Sequence, residues 1–95
     1  MDYESFIKST SFDTPPEKSS LYLKALWYDA KDNWEASHQI AQDIPDKSGS
    51  WIHAYLHRKE GDRFNAGYWY NKAGKPFPSV SLSEEWDQLA RAFSQ

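Results

Sequence analysis

His53, His57 and Glu60 are the residues of this 95-residue chain whose types and spacing most directly invite chemistry. They lie in 51-WIHAYLHRKEGD-62, which runs on into 63-RFNAGYWYNKAG-74. Histidines four apart stand one helical turn apart. At about 100° per residue, Glu60 falls within about 60° of them. Two such imidazoles can ligate one metal ion, with the carboxylate as a third ligand. The residue after His53 is Ala54, so the general-base glutamate of the zinc-peptidase motif is absent. A competing reading makes the same pair interfacial. His53 and His57 would then face a second helix bearing Ala66, Trp69 and Tyr70, with Tyr or backbone oxygens satisfying the rings. His53, His57, Glu60 and Tyr70 are therefore candidates for a polar interfacial site. His53 and His57 are also the candidate metal ligands, but no metal or cofactor is assigned on so short a motif.

The other side of the same helix carries Trp51, Tyr55 and Arg58. Aromatic anchors beside an arginine suit a partner-binding surface, giving contact area and bidentate recognition of carboxylates. They equally suit a core packed on Trp27 or Trp86. His38 stands alone in 34-WEASH-38 and reads as packing or surface. No serine or cysteine nucleophile, phosphate-binding glycine loop or paired-acid signature is recognisable, so no catalytic residue is assigned. The acids of 84-EEWD-87 read as complementing a helix N-terminus.

Composition narrows the classes. The formal charge is −3 with both signs interspersed, which offers no basic footprint for nucleic acid or an anionic membrane. There is no cysteine, hence no disulfide or thiolate site. The segment MDYESFIKST has no apolar core of a secretory signal, and no apolar run approaches the roughly 20 residues of a membrane span. A cytoplasmic protein is expected. Trp 5, Tyr 6 and Phe 5 against a mean hydropathy of −0.88 point to amphipathic elements with broad aromatic anchors.

These side chains need helices to position them. Tyr3, Phe6 and Ile7 suggest a short helix over 2–9. Thr14, Pro15, Pro16 and Glu17 read as a cap and first turn, predicting a helix over 15–31 with Leu23, Leu26, Trp27 and Ala30 inward. A turn at 31–33 leads to a helix over 34–43, ended by Ile44-Pro45. With Ser48 or Ser50 as cap, a third runs to Glu60 and stops at Gly61. Asp62 caps a fourth to Ala73, stopped by Gly74, Pro76 and Pro78. Ser81 or Ser83 caps the last, over 83–94, with Trp86, Leu89, Ala90 and Phe93 as its stripe. No segment alternates long enough for a strand.

Comparing residue n with n+30 pairs Leu26 with Leu56, Asp32 with Asp62, Trp34 with Phe64 and Ala36 with Ala66. Two helical hairpins, 15–43 and 48–74, are implied. Gly61, Ala66, Tyr70, Ala73 and Pro78 fall at the spacings of a tetratricopeptide repeat, which the second copy resembles. Its departures are Ser50, His53 and His57, where that family places large packing residues. The phrases HAYLHRKEGD and AGYWYNKAG also look like those of small uncharacterised bacterial proteins. The expected fold is an all-α single domain over 1–95. It holds two stacked antiparallel hairpins of tetratricopeptide type, a C-terminal helix and a short N-terminal one. The resemblance implies an interaction module for a protein or peptide segment, with Trp51, Tyr55 and Arg58 lining its groove. The alternative is a small metal-binding or catalytic domain built on His53, His57 and Glu60. A homodimer that covers an open apolar face is a third expectation.

Overall fold

Six helices and no strands make up the computed structural model, which describes all 95 residues. They are α1 (Tyr3–Ser9), α2 (Leu21–Ala30), α3 (Trp34–Gln42), α4 (Lys47–Lys59), α5 (Arg63–Ala73) and α6 (Leu82–Phe93). None is long and apolar enough to cross a membrane. The all-α expectation holds.

Every helix begins on a side chain that takes up a free backbone N–H, as helix N-termini require. Asp2, Ser20, Asn33, Asp46, Asp62 and Ser81 fill that role. Two expected starts move. The prolines at 15 and 16 do not open α2. Ser19 instead turns back onto the Pro16 carbonyl, and Ser20 accepts from the Leu23 N–H at 3.2 Å. The first hairpin is therefore shorter than 15–43. In α4, Asp46 accepts from the Gly49 N–H at 2.8 Å, so Ser48 and Ser50 lie inside the helix. Gly49 is needed there, because a Cβ would stand 2.5 Å from the Ile44 carbonyl oxygen.

The helices pair as α2 with α3 and α4 with α5, two antiparallel hairpins set side by side through α3 and α4. Their turns are alike. The N–H of Asn33 reaches the Tyr28 carbonyl and that of Asp62 the His57 carbonyl, both at 2.9 Å. Ala30 and Lys59 end the first helix of each hairpin, and Trp34 and Arg63 begin the second. The structural repeat is thus one residue shorter than the pairing of residue types suggests. In this register the buried Ala25 matches Ala54, Ser37 matches Ala66 and Ala41 matches Tyr70. The turn residue of positive φ is Asp32 (60°) in one copy and Gly61 (87°) in the other.

The main core joins Phe6, Leu23, Leu26, Trp27, Ile52, Tyr55, Leu56 and Leu89 from α1, α2, α4 and α6. A smaller cluster of Ala54, Ala66 and Tyr70 lies where α5 closes on α4. Small residues allow that close approach. The α6 helix crosses α2 and α4, and the Gln95 N–H donates to the Met1 carbonyl at 2.9 Å.

Candidate functional site

All three histidines of the chain meet on one side of the contact between α3 and α4. His38 comes from α3, and His53 and His57 from successive turns of α4. The Nε2 atoms of His38 and His53 are 2.9 Å apart, and each histidine offers a ring nitrogen within 4.8 Å of the other two. His53 is 5% exposed, and the other two are partly open.

The surroundings hold the rings in place. Trp34, one turn before His38, stacks on it at 4.8 Å and donates its indole N–H to the Leu56 carbonyl at 2.8 Å. Trp69 of α5 stacks on His53 at 4.0 Å. Glu60 lies 2.6 Å from His57 Nδ1. A carboxylate there fixes the Nδ1–H tautomer and leaves the lone pair of Nε2 free. His38 and His53 share one proton between their facing nitrogens, one ring donating and the other accepting.

Burial first, and then the neighbouring His38 and His57, push the His53 imidazole down to about 4. Burial and His57 also lower His38. These two rings are neutral near pH 7, the form in which a histidine binds metal. Two nitrogens bound tetrahedrally to a zinc-sized ion stand about 3.3 Å apart. The His38–His53 separation is close to that, and His57 offers a third nitrogen within 4.8 Å; to ligate, the facing pair would first have to move its shared proton to an outer nitrogen. Glu60 then sits behind His57 as the carboxylate that orients a metal-binding imidazole. His57, Glu60 and Asp62 form a second, more exposed cluster that shares His57.

Tyr70 is not part of this site. Its hydroxyl lies 2.6 and 2.8 Å from the two oxygens of Glu85, on α6. The partner across from the histidines is Trp69, because Trp69 and Tyr70 point to different sides of α5. The surface expected from Trp51, Tyr55 and Arg58 is also taken up within the fold. Tyr55 is buried and donates to Asp29 Oδ2 at 2.8 Å. Arg58 donates to Glu85 at 2.9 Å and to the Val80 carbonyl. Trp51 donates to Glu85 at 3.2 Å, packs on Phe93 and lies under the Lys75 ammonium. Burial raises the hydroxyls of Tyr55 and Tyr70, and the adjoining Asp29 and Glu85 carboxylates raise them further.

Three residues of these networks escaped the sequence reading. His38 looked solitary because its partners lie 15 and more positions away. Glu85 looked like one of several helix-start acids, yet it is 1% exposed and collects Trp51, Arg58 and Tyr70. Asp29 carried no motif at all. A signal for His38 did exist in Trp34, which precedes it by one turn and marks that face of α3 as inward.

Compared with known proteins, the chain matches no family model, no curated protein and no solved structure.

Proposed function

We propose that this is a small metal-binding helical domain that holds one divalent transition ion through His38, His53 and His57. The observation that carries the reading is the convergence of the chain's only three histidines on one point, two of them neutral and 2.9 Å apart. Three imidazoles favour zinc, nickel or copper over magnesium or calcium, which prefer oxygen. The ion would link α3 to α4, and so one hairpin to the other. A cytoplasmic setting suits a chain without cysteine.

The test is titration of the full chain with Zn(II), Ni(II) and Cu(II), read by calorimetry and by tryptophan emission. Trp34 and Trp69 lie against the ligand rings, so paramagnetic Cu(II) quenches them on binding. One equivalent should bind, and His38→Gln or His57→Gln should weaken it by at least about tenfold, as expected for the loss of one ligand. Unchanged emission and no heat with all three ions would refute the proposal.

A second reading, an interaction module for a protein or peptide segment, is favoured by one observation. Phe64 and Tyr68, one turn apart on α5, are 86% and 52% exposed. They stand at the outer edge of the second hairpin, where a further repeat, a partner or a second copy would pack. Sedimentation at low and high concentration tests self-association there. A monomer throughout, unaffected by Phe64→Ser, removes the homodimer form of this reading.

A further inference from the structure

A cleft of about 470 Å³ opens where α1, α2, α4 and α6 meet. It lies away from the histidines, because Tyr55 and Lys59 of α4 are about 120° to 160° around the helix from His53 and His57. Ile7, Ala30, Leu82 and Trp86 give it apolar walls, and Asp29, Asp32 and Lys59 are the charged residues of its lining.

Asp29 is unusual for its place. It sits in the last turn of α2, where the helix dipole disfavours an acid, and it is 2% exposed. Neither local helix stability nor cheap burial accounts for it. Two groups compensate it. Tyr55 donates to Oδ2 at 2.8 Å, from a buried and fixed position. Lys59 donates to Oδ1 at 2.9 Å, from a long side chain that is one-third exposed. Asp32 adds a second carboxylate to the lining, at the turn of positive φ. Asp29 and Asp32 are the carboxylates of the lining; Lys59 pairs with Asp29, and the Lys31 ammonium stands at the rim on the Thr10 carbonyl at 3.0 Å. Trp86 is held rigidly, its indole donating to the Leu26 carbonyl at 3.2 Å and stacking on Phe6.

We infer that this cleft is a binding site for a small organic amine with an aryl or branched apolar body. The apolar body lies along Ile7, Ala30, Leu82 and Trp86, and the ammonium takes Asp29 Oδ1 from Lys59. Lys59 swings into solvent, where its charge is hydrated, and Tyr55 continues to hold Oδ2. A pocket of this volume, mostly apolar with a few convergent polar groups, has the dimensions of a small-molecule site. An anionic ligand is disfavoured by Asp29 and Asp32 together. The inference is independent of the histidine site.

The experiment is a titration of the full chain followed by amide ¹H–¹⁵N spectra. Phenethylamine is the probe, with 3-phenylpropanol and 3-phenylpropionate as the neutral and anionic matches. Saturating shifts at Ile7, Ala30 and Ser83 are expected with the amine, with the alcohol and the acid at least about tenfold weaker for want of the charged bond. Lys59→Gln removes the competitor and should tighten the amine about threefold, while Asp32→Asn should loosen it by a similar factor. Asp29 is kept in these variants, and a thermal melt of each shows that it is folded at the titration temperature, since Lys59→Gln leaves a buried carboxylate with Tyr55 alone. Equal binding of the acid or the alcohol, absence of saturating shifts with the amine, or an amine affinity that Lys59→Gln leaves unchanged or weakens would each overturn the inference.

Discussion

His53 shows how one buried side chain couples the fold to acidity. Its imidazole ionises at about 4 in the folded protein, against an ordinary 6.5. The unfolded chain therefore takes the proton more readily. The contribution is fully present above about pH 6.5 and is lost as pH falls toward 4, amounting to about 3 kcal/mol by then. His38 and His57 face the ring and add to this depression. Urea unfolding of the metal-free protein between neutral pH and about pH 4 should show this slope, and His53→Gln should flatten it. Glu85 makes a different prediction. It is a buried carboxylate with three donors, and Glu85→Ala leaves Tyr70 without its acceptor and Arg58 without its counter-charge. A loss of about 3–5 kcal/mol is expected in thermal or urea melts, far beyond the few tenths for the neighbouring exposed Glu84.

Among the elements, α4 and α5 contain glycines whose replacement should act in opposite directions. Gly67 is inside α5, and a Cβ there meets nothing within 4 Å. Gly67→Ala should stabilise by about 0.5–1 kcal/mol through helix propensity alone. Gly49 lies inside α4 beside Ile44, and the same change there should destabilise, since the Cβ would overlap Ile44 backbone and side chain. Paired melts of the two variants check both signs. The helices themselves were legible in the sequence because caps and stops are local. Asp62, Gly61, Gly74 and Ser81 mark their boundaries correctly. The start of α2 was not, because Pro15-Pro16 fits a first helical turn as well as the turn it forms. Nor was the repeat offset, since residue type matched Leu26 to Leu56 whereas burial matches Ala25 to Ala54. The site was legible in part. His53, His57 and Glu60 declare themselves by spacing within one helix. His38 meets them only through packing of α3 on α4, which no local pattern encodes. The face with Tyr55 and Arg58 admits both a partner surface and a packed core in the sequence, because its cover, α6, comes from distant sequence.

At the scale of the molecule, the histidine site lies between hairpins rather than within one. An ion bound there adds stability to the native state alone, about 2.7 kcal/mol when present at a hundred times its Kd. For a chain of this size the melting temperature should rise by about 10 °C or more. Differential scanning calorimetry with and without Zn(II) measures it, and a chelator should reverse the shift. The α5 helix rests mainly on α4, so an ion bound there would also steady the wall that Trp69 contributes.

The hydrogen bond from Gln95 to Met1 closes this chain almost into a ring. Ends that touch can be joined by a short linker, and the ring can then be cut elsewhere without altering a helix. The stretch between α1 and α2, which includes the exposed Phe12 and Asp13, is the natural place for the cut. A circular permutant opened there would keep both hairpins contiguous and turn α1 into an extension of α6. Such a chain moves α1 from before both hairpins to after them while the native contacts stay the same, so its folding rate reports when α1 docks.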